Sequence, residues 1–209
     1  MQTEERKRHW EKIYTTKQQN EVSWYEKVPS TSIELIKELN LPRTATIFDN
    51  GGGDSFFVDH LLQLGFINIT VQDISETALA KAKKRLGNDA EKINWIVCDE
   101  SDCSPPEQYD VWHDRAAFHF LTEGDEIRNY INTIEKHIRP GGYFIIATFS
   151  EQGPSKCSGL SVKQYSEASM TKLLQNSFTK EKCFTIDHHT PFNTEQNFLY
   201  CIFKRTLEI

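Results

Sequence analysis

The chain has 209 residues with 38% apolar and 11% aromatic content, which fits one globular domain able to bury a full core. Its net charge of −6 argues against a broad nucleic-acid footprint, and no apolar run reaches the roughly 18 residues of a membrane span. "MQTEERKRHWEK" lacks the apolar core of a signal peptide, and five scattered cysteines without a CxxC pair argue against a disulfide framework or structural zinc, so a reducing, cytoplasmic setting is expected.

In chain order, residues 4–14 read as a short charged helix with Trp10 and Tyr14 four apart. After a turn at Pro29, Ile33, Ile36 and Leu39 recur at helical spacing in a helix that ends before Pro42. Strands and helices then alternate. Residues 46–49 are a strand, and 56–64 a helix stopped at Gly65. Residues 69–73 are a strand, and Ser75 caps a helix through Ala78, Leu79, Ala82 and Leu86 that stops at Gly87. Short strands follow at 94–98 and 109–113, then a helix over 125–137, the turn "RPGG" and a buried strand at 143–149. This pace implies parallel βαβ units in a doubly wound sheet. "CFTIDHHTPFNTEQNFLYCIFKR" instead holds two strand-like runs around a Pro/Asn loop, predicting an antiparallel pair at one edge. No internal repeat, low-complexity tract or domain linker interrupts the chain.

In sheets of this kind ligands bind where the first strand turns into its helix. That turn reads "DNGGGDSFF". A dinucleotide GxGxxG would need glycine at position 56, which is Phe56, and no Walker lysine is present. A pyrophosphate there would face Asp49 and Asp54, and two like charges about 4 Å apart repel by about 4 kcal/mol at an effective dielectric near 20. S-adenosylmethionine has no phosphate, a sulfonium and an ammonium group, and it suits an acidic, glycine-lined turn. Its carboxylate can still use helix N-terminal amides. Asp73 ends the second strand, where an acid can bind both ribose hydroxyls, and Asp99 closes the third.

These segments, with "VQDIS", "CDES", "YDVWHDRAAFHFL" and "IRPGGYFIIATFS", resemble the class I S-adenosylmethionine-dependent methyltransferases over about residues 9–205. The resemblance implies an α/β, Rossmann-like, doubly wound seven-stranded sheet, mostly parallel with an antiparallel edge strand and helices on both faces. It implies an N-terminal helical lid or cap over 1–42 and a methyltransferase domain over 43–209. It assigns Asp49, Gly51 and Gly53 to the methionine part, Asp73 to the ribose and Asp99 to the side of the adenine, with Ile74 and Glu100 also at the cofactor. Ser55, where many members have glycine, and Asn50, usually aliphatic, depart from the pattern; a serine at 55 can cap the helix.

Methyl transfer needs an aligned nucleophile, and a base only if that nucleophile arrives protonated. After the fourth strand, His113 can take a proton near neutral pH, Asp114 can orient it, and Arg115 can grip an acidic substrate or Asp114. The alternative for all three is structural: an ion pair and a backbone-bonded histidine. "DRAAF" also resembles a segment of thiol and thiopurine methyltransferases. His119 and Phe118 are expected beneath the site. The aromatic leader resembles those that fold over the cofactor, with Tyr14, Trp24 and Tyr25 as lid, Trp24 near the sulfonium through a cation–π contact, and Trp10 simply packing on the sheet. The long connection 148–166 sits on the ligand side and offers Cys157 and Tyr165 for substrate contact. His188 and His189 alternate faces on a strand and lack a third partner for a metal. The expected activity is methyl transfer to a small-molecule acceptor, yielding S-adenosylhomocysteine. The alternatives are a protein-lysine methyltransferase, which Arg115 disfavours by repelling an ammonium, and a cofactor-binding regulatory domain without catalysis.

Overall fold

The computed structural model describes residues 3–207. Two helices, α1 (Thr3–Thr16) and α2 (Ser30–Glu38), precede the sheet. The apolar runs then form β1 (Thr46–Asn50), β2 (Asn68–Asp73), β3 (Ile93–Val97), β4 (Tyr109–Arg115) and β5 (Ile138–Phe149). Between them lie α3 (Phe57–Gln63), α4 (Glu76–Leu86) and α5 (Gly124–His137). A small hairpin, β6 (Lys156–Cys157) and β7 (Leu160–Ser161), leads to α6 (Glu167–Leu174) and the long strands β8 (Phe178–His189) and β9 (Glu195–Arg205). Sheet order is β3-β2-β1-β4-β5-β9-β8. The first five strands pair in parallel, and β9 runs antiparallel to both β5 and β8.

Strand alternation divides the core. Ile47 packs into the layer beneath α2 and α3 with Ile33, Leu35, Phe57 and Leu61. Its neighbour Phe48 points the other way, joining Trp112, Tyr130, Phe144 and Met170 beneath α5 and α6. Helices α2 to α6 each bury apolar residues, and full burial of one large apolar side chain is worth roughly 1.5–3 kcal/mol. The switch in strand order falls between β1 and β4, so the carboxyl ends of β1, β2, β3 and β4 open on one crevice.

Three features differ from the sequence reading. β5 begins at Ile138 and carries the Arg139–Gly142 stretch inside it, because a register shift between Tyr109 and Val111 lets Tyr109 pair with Ile138. The long connection after β5 is partly ordered by the β6–β7 hairpin, which turns through Ser158 and Gly159 at φ of 51° and 80°. Two disulfides, Cys98–Cys103 and Cys183–Cys201, replace the expected free thiols and leave Cys157 as the free cysteine. Cys183 and Cys201 are cross-strand partners in β8 and β9, so strand pairing itself brings their sulfurs together.

Candidate active site

The turn after β1 is built for close approach. Gly51 and Gly53 adopt φ of 62° and 52°, and a Cβ at Gly51 would lie 2.5 Å from Ala117 Cβ. At Gly53 it would lie 2.5 Å from the Tyr14 hydroxyl. Gln72 fixes the turn by accepting from Gly51 N at 3.0 Å while its amide donates to Cys98 O. Ser55 accepts from Phe57 N at 3.1 Å from the position before the N-cap, which is Phe56 and makes no side-chain cap bond, so the expected serine cap is replaced by this local turn bond. Asn50 donates to Asp114 at 2.8 Å, which gives a reason for a polar residue there.

At the end of β2, Asp73 is buried and accepts from Ser75 N at 2.8 Å. Burial, with the nearby Asp54 and Asp49 charges, pushes its carboxyl up to about 7. After β3, Glu100 is buried and pushed up to about 8 by burial and then by the charge of Asp99. Asp99 is engaged elsewhere: it accepts from Arg6 at 2.6 Å and from Ser101 N at 2.9 Å. Helix α1 thus reaches the β3 end through Arg6, and it reaches the α4 N-terminus through Glu11, which accepts from Glu76 N at 2.6 Å.

The fourth strand departs from a simple acid–base reading. His113 is held at both nitrogens, Nδ1 by Asp49 at 2.7 Å and Nε2 by Ser32 at 2.9 Å, and it lies against Phe57. Asp114 is fully buried and accepts from Asn50, Tyr130, Ala117 N and Phe118 N. Four donors on one carboxylate hold the β4 turn, where Ala116 adopts φ 64°, and they leave Asp114 no role in orienting His113. Arg115 does not pair with Asp114 either. Its Nε donates to Tyr200 at 3.0 Å, its Nη1 to Trp24 O at 3.0 Å, and its Nη2 lies 3.2 Å from Glu26.

Two joined chambers result. The first is lined by Trp10, Asp73, Ile74, Glu100, Phe120 and Cys157 among others. The second is lined by Asp49, Asp54, Tyr25, Glu26, Ser32 and His113 among others. Both include Tyr14, Trp24, Gly51 and Arg115, which form the waist between them. The structure therefore brings together Asp49, Gly51, Asp73, Ile74, Glu100, Trp24, Tyr14, Tyr25, His113, Arg115 and Cys157, with Gly53 beside them under Tyr14. Trp10, expected only to pack, lines the first chamber, with ring centroids 4.9 Å from Phe120 and 5.7 Å from Trp24.

Tyr165 stands apart from the chambers. Its ring packs on Phe118 in the opposite core layer, because its backbone N–H donates to Phe149 O at the end of β5 and it bridges to Ser150 just beyond. Cys157 faces the first chamber, but burial pushes its thiol above the usual range. His119 is buried, accepts from Phe149 N through Nδ1, and is held neutral at about 3 by burial and by Arg115. Of the tandem histidines, His188 turns inward, donating to Ser23 O at 2.7 Å and lying 3.3 Å from Glu26, while His189 is exposed beside Glu195. Arg6, Glu26, Ser32 and Phe120 were missed by sequence reasoning; each meets its partners only through the tertiary fold.

Comparisons with known proteins agree with this architecture. A family model described as a methyltransferase domain matches residues 48–144. The chain is 30% identical over 123 residues to EEF1A lysine methyltransferase 2 of Danio rerio, covering 56% of this chain and 53% of that protein. It is 29% identical over 109 residues to N-terminal Xaa-Pro-Lys N-methyltransferase 1 of Rattus norvegicus, covering 51% of this chain and 48% of that one. The chain thus spans about half the length of the curated relatives it matches. Among solved structures, 1,6-didemethyltoxoflavin-N1-methyltransferase of Burkholderia thailandensis, with bound 1,6-didemethyltoxoflavin and S-adenosylhomocysteine, has a TM-score of 0.70 at 21% identity, covering 88% of this chain and 80% of that one. A protein described in the conversion of a disulfide bond into a thioacetal group during echinomycin biosynthesis has a TM-score of 0.76 at 19% identity, covering 97% and 94%. At these identities the structural likeness establishes the fold.

Proposed function

We propose that the chain is a class I S-adenosylmethionine-dependent methyltransferase that transfers a methyl group from that donor to a small-molecule acceptor beneath α1. The observation that supports this most directly is the meeting of the Gly51–Gly53 turn and the buried Asp73 carboxylate in one aromatic cleft. Bound S-adenosylmethionine supplies an electrophilic methyl on a sulfonium. Asp73 and Ile74 would hold the nucleoside, Glu100 the adenine edge, and the glycine turn with Asp49 the methionine part. Tyr14 and Trp24 at the waist would face the sulfonium with π-rings.

Trp10, Trp24 and Phe120 would cover the nucleoside in the first chamber, leaving the acceptor to approach the methyl from the waist. His113 and Asp114 would serve by fixing the turns that carry Asp49 and Ala117, since neither has a ring nitrogen or oxygen left to move a proton. The expected cytoplasmic setting keeps thiols reduced, and the Cys98–Cys103 and Cys183–Cys201 disulfides count against it.

A protein acceptor is the second reading. Exposed Val28 and Ile186 line an open groove beside Glu26, with Phe192 nearby, and the curated relatives are named for protein substrates. Incubation with methyl-labelled S-adenosylmethionine and separated metabolite and protein fractions tests both. Label in metabolites supports the small-molecule acceptor, and label confined to protein favours the groove. Donor binding without any transfer would leave a binding domain.

A further inference from the structure

The amino-acid end of the donor carries a carboxylate and an ammonium, and burying either without a partner is costly. The turn "DNGGGDSFF" offers no cationic side chain for the carboxylate. Among the described residues lining the second chamber, Arg115 alone bears a permanent positive charge, and the ring of His113 is already held at both nitrogens.

Arg115 is also unsaturated. Its side chain is 11% exposed, and two of its nitrogens are committed to Tyr200 and the Trp24 carbonyl. The third, Nη2, makes no hydrogen bond: Glu26 lies 3.2 Å away, near enough to balance its charge but poorly aligned to accept. Glu26 in turn stays ionised, because Arg115 and His188 outweigh the burial that would raise its carboxyl. A positive and a negative group therefore stand side by side at the waist, beyond the nucleoside acids as seen from β3.

We propose that Arg115 and Glu26 together receive the amino-acid end of the donor, Arg115 taking the carboxylate through Nη2 and Glu26 the ammonium. The assignment rests on the donor reading above. A zwitterion laid antiparallel on this pair adds no net charge to a buried site, which a lone anion or cation would do. It also gives the guanidinium a second charged partner beside Glu26.

The same contact couples the donor to its roof. Ser23, Trp24 and Glu26 belong to one strap, tied to β4 by Arg115 and to β8 by His188. A ligand bonded to both Arg115 and Glu26 joins strap to sheet, whereas a nucleoside without that end leaves the join as it was.

Calorimetric titration of the full chain with S-adenosylhomocysteine, its decarboxylated and deaminated analogues, and 5′-methylthioadenosine tests the proposal without an acceptor. The wild-type chain should bind S-adenosylhomocysteine at least about tenfold more tightly than either truncated amino-acid analogue. In Arg115→Met the preference over the decarboxylated ligand should fall below about threefold, with 5′-methylthioadenosine affinity within about twofold of wild type. An unchanged preference overturns the Arg115 assignment. Should Arg115→Met fail to fold, the more exposed Glu26→Gln carries the test, because it should erase the preference over the deaminated ligand; a preference that persists overturns the pairing. If 5′-methylthioadenosine also fails to bind wild type, the donor reading itself falls, and this assignment with it.

Discussion

Asp49 on β1 and His113 on β4 are register partners in adjacent parallel strands, and their side chains meet at 2.7 Å with Ser32 closing the far side of the imidazole. The ring thus links α2 to the turn that begins the donor site. Removing it would strand the Asp49 carboxylate in a site where it is 3% exposed. Breaking a buried pair typically costs about 3–5 kcal/mol. We expect His113→Ala to lower the melting temperature by roughly 6–20 °C, at about 2–4 °C per kcal/mol. It should also weaken S-adenosylhomocysteine binding, because Asp49 loses its anchor. A general base would do the opposite: thermal shift and calorimetry would then find both properties intact and only turnover reduced.

The glycine turn gives a second, steric prediction. Gly53→Ala places a methyl 2.5 Å from the Tyr14 hydroxyl and 3.2 Å from its Cζ, on a backbone at φ 52°. Overpacking of this kind costs roughly 1–3 kcal/mol, and left-handed φ adds about 1 kcal/mol more. Donor affinity and melting temperature should both fall. Combining it with Tyr14→Phe should restore part of the loss, since the nearer clash goes while the ring carbon remains. At Gly51 the obstacle is Ala117 Cβ, so Gly51→Ala should show no such rescue by Tyr14→Phe.

What could be read in advance follows from range along the chain. β1, β2 and α4 were legible because apolar runs, the Ser75 cap and the Gly87 stop are local signals; Ser75 indeed accepts from Ala78 N at 3.1 Å. α6 was missed because it buries little, Met170 and Leu174 being its buried residues. Asp73 and Gly51 were legible as ends of strands. Glu26 and Arg6 were not, because their partners Arg115 and Asp99 lie far along the chain and no spacing rule joins them. Tyr165 misled for the converse reason: a polar residue in a long loop resembles a ligand contact, yet its β5 bridge turns the ring into the core. The cysteine pairs carry no spacing signature, and only strand register brings Cys183 opposite Cys201.

On the proposed donor reading, the two acids lining the first chamber set a pH window. Asp73, pushed up to about 7 by burial, must be ionised to accept from ribose hydroxyls, so affinity should rise as pH climbs through that value. Glu100, pushed up to about 8 by burial and Asp99, is neutral below that value and then offers the donor and acceptor that an adenine edge requires. Affinity should fall again as pH rises past it. S-adenosylhomocysteine binding measured across about pH 5 to 10 should therefore be bell-shaped, with each limb approaching tenfold per pH unit. Asp73→Asn should flatten the acid limb and weaken binding throughout, and Glu100→Gln should flatten the alkaline limb. A pH-independent affinity would remove both acids from nucleoside recognition.

Arg6 decides how the roof is fastened. Its guanidinium bonds Asp99 at 2.6 Å and Ser101 at 3.3 Å, and a further bond to Glu126 ties the same group to α5. The Arg6 and Asp99 side chains are each 2% exposed, so this is a buried ion pair on which α1 depends. Truncation to methionine keeps most of the stem but leaves Asp99, beside Glu100, without its counter-charge. The cost should be about 3–5 kcal/mol, or a melting temperature lower by roughly 6–20 °C. Arg6→Lys should recover only part of it, because a single ammonium cannot span Asp99 and Glu126 as the forked guanidinium does. Limited proteolysis should then cut within α1 in Arg6→Met before the sheet is touched, and S-adenosylhomocysteine should slow that cutting by closing the chamber under Trp10 and Tyr14. If Arg6→Met instead melts and resists protease like wild type, α1 is held by its aromatic contacts with Trp24 and Phe120, and the ion pair serves only to position the β3 turn.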